Sequence, residues 1–280
     1  MLNDKIIKNI ICPDCGESTF LSDNFKSLLC HGKKRHCFDF AASGYVNLSH
    51  TSLSGDSKEA VRARKAFLES GHYKKFSDTL NSIVSERYDS PFIADMGCGE
   101  GYYSVNMLKA LPSSFLVGFD LSKFAVEAAS KLARREALSD RALFSTSSIF
   151  TPPLRDNSCD VVLNLFAPCC EKEFCRVLKD DGILIVVGAG GDHLIELKSI
   201  LYETPRRNDE RKDLPVNMTL LGRTDLRYKF IPSSEERAAL FEMTPYFYRT
   251  SESDKLKLSN ARIIPITAEF NIFIYKKTST

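Results

Sequence analysis

The segment Asp95-Met-Gly97-Cys-Gly99-Glu-Gly101 sets an acid and three alternate glycines between the apolar stretch Phe92-Ile-Ala and the pair Tyr102-Tyr103. Glycines at this spacing permit a tight turn and let main chain approach a ligand that side chains would hold off. A second apolar run, Phe115-Leu-Val-Gly-Phe, ends on Asp120, 19 residues after Gly101. A carboxylate there can accept hydrogen bonds from both hydroxyls of a ribose. Glycine loop and acid together describe a site for the nucleoside part of a cofactor.

The ribose alone does not choose the cofactor, but the glycine spacing helps. Dinucleotide sites favour G-x-G-x-x-G, with a pyrophosphate on the helix N-terminus. Here the spacing is G-x-G-x-G preceded by Asp95, which resembles the first motif of class I S-adenosylmethionine-dependent methyltransferases. A methionyl ammonium suits nearby carboxylates and carbonyls better than a pyrophosphate does. An NAD-dependent dehydrogenase and a plain set of turn glycines are the competing readings.

A second constellation lies near the N-terminus. Cys12-Pro-Asp-Cys15 is a C-x-x-C knuckle, followed by Cys30 and His36. Two thiolates on one turn can grip one face of a tetrahedral zinc, and a second pair can close it. With four protein ligands such a site is structural. Cys37 rivals His36 as fourth ligand, and His31 adjoins Cys30 too closely to share its ion. No βαβ pattern surrounds the knuckle, which disfavours a thioredoxin-like redox pair. The remaining cysteines, Cys98, Cys159, Cys169, Cys170 and Cys175, read as buried thiols in apolar or motif segments.

The elements that must position these residues follow from periodicity. Residues 1–50 show turn residues and no helical period, as short hairpins around a metal would. Residues 51–57 read as a linker. A helix is expected from Asp56 or Ser57, with Asp56 and Glu59 as a capping box and Gly71 near its C-cap. Its Lys58, Arg62, Arg64 and Lys65 form a basic face, either merely solvated or turned to RNA. Strands are then expected at 92–95, 115–120, 142–145, 160–166 and 182–187, and helices at 122–138, 171–178 and 193–202. Residues 204–215 read as a loop, and 269–275 as a terminal strand. Strands alternating with helices imply an α/β fold with a mostly parallel, doubly wound sheet.

Composition agrees with a packed domain. The chain has 280 residues, 43% hydrophobic and 26% charged, enough for one large domain or one with an appendage. It has no run of eighteen apolar residues and no apolar leader, so neither a membrane span nor secretion is expected, and the cytoplasm is. Charge is uneven. Residues 1–75 carry 12 Lys/Arg against 8 Asp/Glu (+4), residues 76–200 carry 12 against 17 (−5), and residues 201–280 carry 14 against 11 (+3). The basic flanks can face a polyanion.

Taken in order, the motifs resemble the bacterial 23S rRNA (guanine-N1)-methyltransferase family. The zinc cluster leading to His36-x-Phe-Asp39, Ser43-Gly-Tyr-Val-Asn-Leu48, Gly55-Asp-Ser57, Ala63-Arg64 and Gly71-His-Tyr73 carry the likeness first. Asp95 through Tyr103, Ala167-Pro-Cys169, His193-Leu194, Met243-Thr-Pro245 and Phe270-Asn-Ile272 extend it along the chain. The resemblance implies a small N-terminal zinc-ribbon domain (residues 1–50) that recognises an rRNA hairpin. A linker and helix (51–75) would join it to a Rossmann-like class I methyltransferase domain (76–280). It further implies that Tyr73, Tyr103, Ser104 and His193 contact the cofactor beside Asp95, Gly97, Gly99, Gly101 and Asp120, and that the protein is a homodimer. The zinc set favoured by the residues themselves is Cys12, Cys15, Cys30 and His36.

Guanine N1 carries a proton that must leave before or during attack on the sulfonium methyl. The sequence does not name the base: Asp95 and Asp120 are committed to cofactor, and Glu100 is the remaining acid of the loop. Phe166 and Tyr246-Phe-Tyr248 are candidates to stack on an exposed guanine. A small-molecule methyltransferase with a structural zinc knuckle, and a non-catalytic rRNA-binding factor, are the alternative functions.

Overall fold

The computed structural model describes residues 1–49, 55–209 and 211–278; four residues of the expected linker, 51–54, therefore lie outside the described residues. The N-terminal segment begins with helix α1 (Asp4–Ile7), whose Ile6 and Ile7 are buried. Strands β1 (Thr19–Leu21), β2 (Ser27–Cys30) and β3 (Cys37–Asp39) form a small antiparallel sheet. The two-residue strand β4 (Val46–Asn47) leaves that sheet and pairs in parallel with β7 (Ala142–Thr146). The N-terminal segment thus supplies the edge strand of the main sheet.

Helix α2 (Lys58–Glu69) starts one residue later than an Asp56 cap requires. Ser57 is the N-cap, its hydroxyl accepting from the Ala60 amide, which puts Ala60 rather than Glu59 at the third helical position. Asp56 is drawn away to Arg64. Gly71 follows the C-terminus with φ +86°, as a residue after a helix end commonly does. Helix α3 (Lys74–Ser85) comes next; no sequence signal singled it out.

The βαβ pattern then runs as expected. Strand β5 (Phe92–Met96) leads through the glycine loop to α4 (Tyr102–Ala110). Strand β6 (Phe115–Asp120) leads to α5 (Lys123–Arg135), capped by Ser122, and β7 leads to β8 (Cys159–Leu165). Helix α6 (Glu171–Val177), strand β9 (Leu178–Ala189) and helix α7 (Ile195–Leu201) follow. Strand β10 (Met218–Phe230), helices α8 (Ser234–Glu242) and α9 (Glu252–Asn260), and strand β11 (Ile266–Lys277) complete the chain.

The eight strands lie in the order β10-β11-β9-β8-β5-β6-β7-β4. Those from β9 to β4 are parallel, and β11 and β10 are antiparallel to their neighbours. This is a class I methyltransferase, Rossmann-like sheet. The order reverses beside β5, where open α/β sheets bind ligands at the carboxyl ends of their strands. Alternate residues of β5 serve opposite faces. Ile93 joins the apolar layer under α3, α4 and α5, whereas Phe92, Ala94 and Met96 join the layer that holds α1 and α6. No helix among the described residues is long and apolar enough to cross a membrane.

Candidate cofactor cavity and metal cluster

The glycine loop is fixed from behind by the amides of Gly97 and Cys98, which both donate to the Phe119 carbonyl of β6, at 2.9 and 3.0 Å. Gly97 holds φ +95°, and a Cβ there would lie 2.6 Å from Ala167 Cβ. Gly101 is the N-cap of α4 at φ +78°, and a Cβ on it would meet Ala129 Cβ at 2.7 Å. Both positions therefore exclude any other residue without displacement of the neighbouring chain.

A cavity of about 330 Å³ opens above the loop. Asp95, Gly97, Gly99, Tyr103 and Asp120 line it, with Phe166 on the far side. Asp120 Oδ2 accepts from the Gly99 amide at 3.0 Å and Oδ1 from the Ser122 amide at 2.8 Å, so each oxygen keeps one lone-pair direction free. Burial raises its pKa, against the pull of those two amides and the Arg64 charge.

Asp95 is 1% exposed. Ser104, one turn into α4, donates to its Oδ2, while its buried Oδ1 has no partner. Burial pushes the Asp95 pKa up to about 7; the Ser104 bond opposes the rise, and the charges of Asp120 and Glu100 add to it. An orphaned buried carboxyl oxygen among acids is a ready receptor for a cationic donor.

Arg64 closes one side of the cavity. Its guanidinium spans Glu100, at 2.5 Å, and Asp56, at 2.6 Å, and those two charges raise its pKa against the cost of burial. Helical periodicity places Arg64 on a solvated or RNA-facing face; the structure turns it inward. Glu100 is thereby occupied by Arg64.

Four residues expected at the cofactor do not line this cavity: Gly101 caps α4, Ser104 holds Asp95, and Tyr73 and His193 lie further back. Tyr73 is buried, and its hydroxyl lies 3.3 Å from His193 Nε2. His193 Nδ1 accepts from the Glu269 amide at 3.1 Å, so the proton sits on Nε2 and is donated to Tyr73. Burial lowers the His193 pKa to about 4, which keeps the ring neutral. Rings connect the pair to the cavity: Tyr73 packs edge-on to Phe270, Phe270 stacks on Phe76 at 4.3 Å, and Phe76 meets Tyr103. Tyr246 packs instead against Phe241, under Lys198, and Tyr248 points to solvent. Neither lines the cavity.

At the N-terminus Cys12, Cys15, Cys30 and His36 offer ligand atoms all within 4.8 Å of one another. Cys12 Sγ and Cys30 Sγ lie 3.4 and 3.5 Å from His36 Nδ1, and Cys15 Sγ lies 3.8 Å from Cys30 Sγ. A tetrahedral zinc with Zn–S of about 2.3 Å and Zn–N of about 2.0 Å separates its ligands by roughly 3.5 to 3.8 Å, so the donors fit that ion. Cys37 is exposed and contacts Asp39, and His31 packs on Phe20. Neither belongs to the cluster.

Residues 92–228 match the family model of a methyltransferase domain. The chain is 30% identical to YxjB of Bacillus subtilis (strain 168), over 95% of this chain and 96% of that protein, which is provisionally named a 23S rRNA (guanine-N(1)-)-methyltransferase. It is 31% identical, over 71% of this chain and 70% of the relative, to the 23S rRNA (guanine(748)-N(1))-methyltransferase of Streptomyces fradiae. A Micromonospora griseorubida protein with a provisional name of the same kind matches at 30% over 89% of this chain and 90% of its own length.

Proposed function

Because this chain belongs to the 23S rRNA (guanine-N1)-methyltransferases, we propose that the cavity between Asp95 and Asp120 binds S-adenosylmethionine and aims its methyl group at N1 of a guanine in a 23S rRNA hairpin. The observation that carries the cofactor reading is the orphaned, buried Oδ1 of Asp95 across the glycine loop from Asp120. When bound, the cofactor supplies a methyl group on a sulfonium centre.

Asp120 accepts the ribose hydroxyls through its free lone pairs. Asp95, aligned by Ser104, accepts from the methionyl ammonium. Gly97 and Gly99 keep side chains out of the approach, Gly101 lets the start of α4 pack against Ala129, and the Tyr103 ring forms part of the wall. Tyr73 and His193 act one layer back: their hydrogen bond fixes Phe270, which packs on Phe76 and so holds Tyr103. The chain's task is mainly to hold nucleophile, methyl carbon and leaving sulfur in line.

The Cys12–Cys15–Cys30–His36 set holds a structural zinc with no open position, which keeps the β1–β3 sheet folded. Lys33, Lys34 and Arg35 stand exposed in the turn between the ligands Cys30 and His36. Three cations on a metal-braced turn suit the phosphates of an RNA hairpin. A small-molecule acceptor gives such a turn no task. The proposal includes a homodimer acting in the cytoplasm.

Equilibrium titration with S-adenosylmethionine tests the cavity. Asp120→Ala is expected to weaken binding roughly 10- to 100-fold, the value of hydrogen bonds to a charged acceptor. Unchanged affinity removes the cavity from the proposal.

A further inference from the structure

The cofactor cavity supplies no group for the guanine proton. Asp56 and Glu100 pair with Arg64, Asp95 is held by Ser104, and Asp120 accepts two amides. The Phe166-Ala-Pro168 turn also lines a second cavity of about 500 Å³, open to solvent and bounded further by Asp209, Arg211 and Asp213. The same turn lines both cavities, which adjoin along it.

The wall is held with unusual care for a loop. Arg211 donates to the Val187 carbonyl at the end of β9, to Asn164 Oδ1 at the end of β8, and to the Ala167 carbonyl within the turn, at 2.6 to 2.7 Å. It also pairs with Asp213, whose other contact is the Cys169 amide. Phe166, the first residue of the wall, has φ +57° and is 47% exposed. Such strain in a non-glycine residue persists only where surrounding contacts enforce it.

Asp209 is held on the N-terminal side as well. Its neighbour Asn208 donates to the carbonyls of Gly190 and His193 and accepts from Lys198. The Lys198 ammonium is engaged by Asn208 and the Arg206 carbonyl, and it feels the Asp209 charge at longer range. Asp209 is therefore positioned between two anchored residues. Among the described acids lining either cavity, it is the one with no hydrogen bond or ion pair to another described residue.

We propose that the second cavity receives the target guanine against Phe166, and that Asp209 is the base that takes the N1 proton. This deepens the proposed function and rests on it. A carboxylate matches the guanine edge, where N1–H and the exocyclic amine present two parallel donors. In the step itself the N1–H bond breaks toward Asp209. The nitrogen electron pair forms the N–CH3 bond, and the C–S bond breaks with its pair staying on sulfur. The products are neutral N1-methylguanine, neutral S-adenosylhomocysteine and a protonated Asp209, which returns its proton to water.

The test is single-turnover methyl transfer from saturating S-adenosylmethionine to unmodified 23S rRNA, with wild type, Asp209→Asn and Asp209→Glu, across roughly pH 6–9. Asp209→Asn is expected to lower the maximal rate about 10²- to 10⁴-fold, with cofactor affinity and rRNA KM unchanged. Its residual rate should climb with pH as guanine N1 ionises by itself, and Asp209→Glu should recover much of the loss. A wild-type maximal rate for Asp209→Asn, a rise in KM alone, or a parallel loss of cofactor affinity each overturns the assignment. Wild-type protein that labels no guanine N1 defeats instead the function on which it rests.

Discussion

Asp95 is the residue whose chemistry is most sensitive to conditions. Its raised pKa, about 7, means that the folded chain without cofactor holds a proton there which an exposed aspartate would have lost. Stability of the cofactor-free protein should therefore fall as pH rises between the ordinary carboxylate range and about 7. Binding a cation has the opposite sign, because the ionised carboxylate is the form that attracts it. S-adenosylmethionine affinity should plateau above the Asp95 pKa and weaken by up to about tenfold per pH unit below it; calorimetric titration across that range checks it. Asp95→Asn should flatten the dependence, and an unaltered slope in that variant would show that another group is titrating. At Gly97 the expectation is steric. Gly97→Ala must accommodate a contact 2.6 Å from Ala167 Cβ at φ +95°, so it should cost about 1–3 kcal/mol and weaken the cofactor. Gly222→Ala, where a Cβ meets nothing within 4 Å, serves as the control in thermal melts.

Among the elements, the β1–β3 sheet depends most on a single bound ion. It is small and separate from the eight-stranded sheet, and three of the four ligands sit on turns or beside strand ends. Removing zinc with a chelator, or replacing Cys12 and Cys15 by Ser, should raise amide exchange across 12–39 while β5, β6 and β8 stay protected. Cys37→Ser should leave zinc stoichiometry unchanged, and a loss of metal there would replace His36 in the ligand set. These elements also show what the sequence could reveal. The knuckle, the glycine loop and Asp120 were legible because their chemistry is written in close neighbours along one turn or at one strand end. Strand β10 was not, because most of its residues are exposed, leaving no alternating apolar signal. Arg64 and Arg211 were not, because their partners Glu100 and Asn164 lie 36 and 47 residues away. Asp56 misled by one position, since Ser57 competes for the same cap and wins.

At the scale of the whole molecule, the cofactor cavity must meet an RNA acceptor. The middle of the chain is acidic and holds the cavity, while the basic N-terminal and C-terminal parts flank it. An arrangement of this kind presents positive surface to a polyanion and keeps the acids around a cationic cofactor. The most direct measurement incubates the protein with unmodified 23S rRNA and S-adenosylmethionine carrying a labelled methyl group. The product is then mapped by reverse-transcription stops and nucleoside mass spectrometry. One methyl on N1 of a guanine within a hairpin is the expected result. Methyl on another atom, or transfer to a small metabolite with none to rRNA, would contradict it.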